Sequence, residues 1–90
     1  MPAKNSNQEI GEFEKRILEK VAARLRELRK EKGFSNYEKF SNKYNLNRSQ
    51  VGKYERGANM NLLSLVRILT ALDVSLNEFF SEEFDKKDRI

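Results

Sequence analysis

The stretch NYEKFSNKYNLNRSQVGKYERG, residues 36–57, decides the fold. Its aromatic residues Tyr37, Phe40 and Tyr44 stand at spacings of three and four, with Ser35 and Asn36 ahead of them as candidate N-caps, so a short helix is expected there. Asn45-Leu46-Asn47 interrupts it. Asparagine tolerates left-handed and capping geometry, and the apolar residue between the two asparagines can point inward. Asn47 then caps a further helix over residues 48–56, which Gly57 closes as the residue past its end. Two short helices joined by so tight a turn form a helix-turn-helix.

The later of these helices is built against its own stability. Arg48 stands at the positive end of the helix dipole and Glu55 at the negative end, while Gly52 costs about 1 kcal/mol relative to Ala. With successive residues turned by about 100°, Val51 and Tyr54 define the side that faces a core. The opposite side presents Arg48, Ser49, Gly52, Lys53 and Arg56, with Gln50 on a flank. Long basic groups, short hydrogen-bonding groups and one gap suit a polyanion approached closely. The major groove of DNA admits one helix, Arg pairs with guanine O6 and N7, and Gln pairs with adenine N6 and N7. Ser49 suits a base or a phosphate, and Lys53 and Arg56 suit phosphate oxygens. A protein surface uses the same chemistry, and each residue taken singly is also an ordinary solvated side chain.

Outward from the motif, Ile10, Phe13, Ile17, Leu18, Val21, Leu25 and Leu28 fall within an arc of about 140°, a long amphipathic helix ending near Gly33. Ser6, three residues before Glu9, has the spacing of a capping box and sets its expected start. On the C-terminal side, LLSLVRILTAL (62–72) is apolar on most sides and reads as the central helix. Ser75 and Glu78 form another capping box, which opens a short last helix with Leu76, Phe79 and Phe80. Nothing alternates with period two. The expected fold is all-α, a compact five-helix domain with an extended first helix: residues 1–11 a tail and helix extension, 12–80 the helix-turn-helix domain with the motif at 36–56, and 81–90 a charged tail.

Ninety residues make one small domain, because a core of this size cannot be divided between two. The net charge is +4, unevenly spread. Residues 1–33 carry nine Lys/Arg against six Asp/Glu, residues 34–60 five against two, and residues 61–90 four against six. The front two-thirds is therefore basic, which favours a polyanionic partner. There is no cysteine and no histidine. Thiolate or imidazole zinc sites and the usual nucleophile–base pairs are unavailable, so neither an enzyme nor a cofactor or metal site is expected. The acidic run Glu82, Glu83, Asp85, Asp88 reads as a solvated tail. MPAKNSNQEIGE has no apolar signal-peptide core, and no window approaches ~18 uninterrupted apolar residues, so a cytosolic location and no membrane contact are expected.

At this point the sequence closely resembles the Cro and phage-repressor class of helix-turn-helix domains, the XRE family, over roughly residues 22–80. The matching features are LRELRKEKG at 25–33, Phe40-Ser41-Asn42-Lys43-Tyr44, the helix ending Tyr54-Glu55-Arg56-Gly57, and LSLVRILTALDVSLNEFF at 63–80. The chain departs from the pattern at Phe40-Ser41, where Leu-Ala is usual, and at Asp73, where Gly is common. The resemblance implies a lambda-repressor-like fold and a transcriptional regulator that binds operator DNA as a dimer, with the third helix in the major groove. It implies base-edge contacts from Arg48, Ser49, Gly52 and Lys53, and phosphate contacts from Asn36, Tyr37 and the loop Asn59 to Asn61. It further implies a partly buried ion pair between Arg29 and Glu55, tying the first helix to the third. Asn47 and Gln50, beside these, complete the candidate DNA-binding set with Arg56.

Several residues have a plainer reading. Tyr37, Phe40 and Tyr44 at helical spacing suit core and boundary positions better than a base-stacking platform. Asn59 and Asn61 are expected as helix caps first. Phe79, Phe80 and Phe84, together with Ile10, Phe13 and Ile17, exceed what five short helices need to bury. A homodimer interface through the phenylalanines is expected, the other option being an N-terminal extension folded back over the last helix. The alternative function on the same fold is an antitoxin or protein-interaction module whose main partner is another protein.

Overall fold

The computed structural model describes residues 10–81, which form five helices: α1 (Glu12–Glu31), α2 (Tyr37–Lys43), α3 (Arg48–Glu55), α4 (Leu62–Leu72) and α5 (Leu76–Phe79). The fold is all-α. Side-chain caps start four of the helices: Asn36 accepts from the Lys39 amide at 2.8 Å, Asn47 from Gln50 at 2.9 Å, Asn61 from Ser64 at 2.8 Å and Ser75 from Glu78 at 3.0 Å. Each cap satisfies one amide that the first helical turn would otherwise leave unpaired.

Among the described residues α1 begins at Glu12. Ile10 and Gly11 are not helical, and the Gly11 amide donates to the Glu14 carboxylate at 2.7 Å. A glycine inside a helix costs about 1 kcal/mol, whereas at the cap it costs little and Glu14 rewards the break. The Ser6–Glu9 capping box lies outside the described residues.

The core gathers Val21, Ala22 and Leu25 of α1, Phe40 of α2, Val51 and Tyr54 of α3, Leu65, Ile68, Leu69 and Leu72 of α4, and Phe79 of α5. Ile17, Leu28, Phe34, Tyr37, Tyr44 and Leu46 pack against it. α4 buries only one side, because Leu62 and Leu63 at its first turn are 66% and 60% exposed. Phe79 requires a correction: expected at an intersubunit interface, it is 0% exposed, with the Arg24 guanidinium 5.6 Å over its ring. α5 is four residues long, and the residue it turns inward, Phe79, anchors it, with the Arg24 guanidinium also donating to the Glu78 carbonyl at 3.3 Å. Its neighbour Phe80 is 41% exposed and meets the Phe79 ring edge-on. Phe84 lies outside the described residues.

The turn of the motif is held by backbone. Asn45 takes the left-handed conformation at φ 57°, and the Leu46 amide returns to the Ser41 carbonyl at 2.8 Å, which turns Leu46 toward the core. Past the Arg56 cap of α3 stands Gly57, whose φ of 95° only glycine adopts without strain.

Candidate nucleic-acid interface

α3 is fastened from behind by α1. Arg29 and Glu55 form a two-pronged buried pair, Nε to Oε2 at 2.8 Å and Nη2 to Oε1 at 3.0 Å, each side chain 6% exposed. The third donor of Arg29, Nη1, reaches the Phe34 carbonyl at 2.8 Å and so also fixes the turn leading into α2. Arg26, one turn before Arg29 on α1, donates to the Glu55 main-chain carbonyl. One acidic residue is thereby gripped twice, by its side chain and by an unpaired carbonyl at the negative end of α3, where a cation is favourable.

With Glu55 consumed, the solvent side of α3 carries no acid. Arg48, Ser49, Gln50, Lys53 and Arg56 are exposed, and among the described residues no ion pair engages Arg48, Lys53 or Arg56. Asn59 is exposed too and joins Asn47, Ser49, Gln50, Lys53 and Tyr54 in lining an open hollow on this face. Unlike Asn61, Asn59 caps no helix, and its amide is uncommitted among the described residues. Asn36, Asn47 and Asn61 each commit the side-chain oxygen to a cap. Capping leaves the amide NH2 of each as a donor, the polarity that phosphate oxygens require.

Gly52 does not belong to the exposed face. It is buried, and a Cβ built there would lie 2.8 Å from Cε1 and Cζ of Tyr37 and 3.1 Å from its hydroxyl. The close approach that Gly52 permits is made by α2, so its expected base-edge contact is withdrawn. The buried positions Val51, Gly52, Tyr54 and Glu55 span a wider arc than the two apolar residues suggested, because α1 and α2 cover α3 from two sides. The exposed side of this segment narrows to Arg48, Ser49, Gln50, Lys53 and Arg56, with Arg48 at the N-terminal edge of α3. Tyr37 is half-buried at the seam between α2 and α3.

Two cations were missed in the sequence. Arg26 shares a face with Arg29 at a spacing of three, which could have marked it. Arg67, the lone charge in the apolar run 62–72, is exposed on α4 and lines a second hollow with Asn47 and Gln50 at the start of α3. Among the described residues no group of acidic residues is placed to hold a metal ion, and no helix is long and apolar enough to cross a membrane.

A capped α2, a left-handed turn residue, a capped α3 clamped to α1 and a cationic outer face together describe a DNA-binding helix-turn-helix. No curated protein and no solved structure matches the chain. A helix-turn-helix family model does match, over residues 25–79, from a buried leucine of α1 to the buried phenylalanine of α5. The chain belongs to the helix-turn-helix family of Cro/repressor (XRE) type.

Proposed function

We propose that this protein is a sequence-specific regulator of transcription, a cytosolic repressor that binds operator DNA as a homodimer with α3 in the major groove. The observation that carries the proposal is the outer face of α3: three exposed cations, Arg48, Lys53 and Arg56, share it with Ser49 and Gln50, while its one acid is neutralised by Arg29. Arg48 and Gln50 have the bidentate chemistry for guanine and adenine edges, and Ser49 suits either base. Lys53, Arg56, Asn36, Asn47, Asn59 and Asn61 supply donors to phosphates on either side, fixing the register in which bases are read. Two-fold pairing follows from reach, since one helix reads only a few base pairs and two half-sites lie about 34 Å apart.

Selection from a random pool of duplexes, followed by gel-shift competition, tests this. A shared sequence should emerge, and Arg48→Ala should lose about 1–3 kcal/mol of discrimination at one base step. Lys53→Ala should weaken binding to all sequences and lower the salt slope by about one. Equal loss on specific and random duplexes for Arg48→Ala removes its base-reading role.

A second reading has its own observation. Leu62 and Leu63, 66% and 60% exposed at the first turn of α4, suit a protein partner. An antitoxin or interaction module would bind random and selected DNA alike, weakly, and co-purify with a second chain.

A further inference from the structure

Gly52 is the midpoint of a row on α3. Arg48, Gly52 and Arg56 stand at i, i+4 and i+8, so with about 100° per residue their side-chain directions drift only slowly along one edge of the helix. The outer two are exposed arginines and the middle one has no side chain. The space a side chain would take there is filled from another helix: the three atoms nearest a Cβ at 52 all belong to the phenol end of Tyr37, the first residue of α2. Tyr37 is half-buried, its ring packs against the core cluster, and its hydroxyl makes no hydrogen bond within the described residues. A phenol hydroxyl is both donor and acceptor and ordinarily finds a partner. This one makes none among the described residues, and it lies 3.1 Å from where a Cβ would stand at position 52, the middle of the row.

We propose that Tyr37 is a specificity-determining residue of the DNA-reading surface, its hydroxyl bonding a base edge from the place that Gly52 leaves vacant on α3. The inference rests on the DNA-reading function proposed above and assigns to α2 a base contact in place of the phosphate contact expected of it. The glycine and the tyrosine act as one composite position: the backbone comes from α3 and the side chain from α2.

The test uses the whole chain and the sequence it selects from random duplexes, with every single-base variant of that site measured by gel shift. Tyr37→Phe keeps the ring and removes only the hydroxyl, so its thermal midpoint should match wild type. Discrimination at one base step should fall by about 5- to 10-fold, the effect of one lost hydrogen bond, with the other steps unchanged. Tyr37→Ala should relax the same step. Uniform weakening on every duplex would make Tyr37 a phosphate contact and overturn the proposal, as would a Tyr37→Phe protein with wild-type discrimination throughout. A wild-type protein that selects no sequence at all would overturn the DNA-reading function itself and this assignment with it.

Discussion

Ser41 sits fully buried in α2, and its hydroxyl has no hydrogen-bond partner among the described residues. An unsatisfied buried polar group costs about 1–3 kcal/mol, and Ser is also a poorer helix former than Ala. Ser41→Ala should therefore raise stability by about 1 kcal/mol, read as a higher urea midpoint at unchanged slope. A lower midpoint would mean that the hydroxyl is satisfied in solution. The opposite case is Glu55, whose carboxylate and carbonyl are both occupied. Glu55→Ala leaves Arg29 buried without its partner and should cost about 3–5 kcal/mol, a large share of the roughly 5–15 kcal/mol of a small domain. Replacing both members of the pair by apolar residues of similar volume should recover much of that loss in the same urea assay. The residue types of this pair could be matched to the family by position, but only packing shows that Arg26 and the turn at Phe34 share the clamp. Gly52 was misread for a related reason. Its exposure depended on where α2 crosses α3, which no spacing within α3 contains.

The boundaries of the elements were largely legible because caps are local. Asn36, Asn47, Asn61 and Ser75 each bond the amide three residues on, and such contacts are visible in a short window of sequence. At α1 two local signals competed, and the nearer one, Gly11 with Glu14, sets the start among the described residues. Element packing makes a prediction of its own at the α2–α3 contact. Gly52→Ala gains about 1 kcal/mol of helix propensity but drives a methyl into the Tyr37 ring, a cost of about 1–3 kcal/mol, so it should be neutral to destabilising. In a Tyr37→Ala background the same change should stabilise, and additive effects in the four-protein cycle would rule out the contact. The α5 cap predicts a pH dependence. Glu78 accepts from the Ser75 amide, with help from the Ser75 hydroxyl and the nearby Arg24, and its carboxyl lies below its ordinary value of 4.5. Because the folded value is the lower one, the cap contributes fully above that ordinary value and is lost as pH falls through the folded value. NMR titration should place the Glu78 midpoint below 4.5, and Ser75→Ala should raise it.

At the scale of the whole molecule, apolar surface remains at both ends of the described chain: Ile10 and Phe13 are each 48% exposed, Leu76 45% and Phe80 41%. The stripe on α1 outruns the core, burying Val21 and Leu25 while Phe13 stays open. Patches of this kind favour association, and with Phe79 committed to the core the proposed dimer has Phe80 as its aromatic anchor. Phe80→Lys should shift the protein toward monomer in sedimentation equilibrium and weaken binding to a two-half-site duplex, while leaving the thermal midpoint of the monomer nearly unchanged. A variant that sediments as wild type would remove Phe80 from the interface. The sequence by itself determined the helices, the caps of the last four, the tight turn at Asn45 to Asn47 and the basic character of the front two-thirds, because these follow from composition and from interactions within a few residues. Only the tertiary structure decided which residues face outward. It took Gly52 and Phe79 inside, left Leu62 and Leu63 outside, and brought Arg67 to the start of α3. The physical reason is that exposure depends on what another helix covers, and that helix lies beyond any short window of sequence: Tyr37 of α2 covers Gly52, and Arg24 of α1 lies over Phe79.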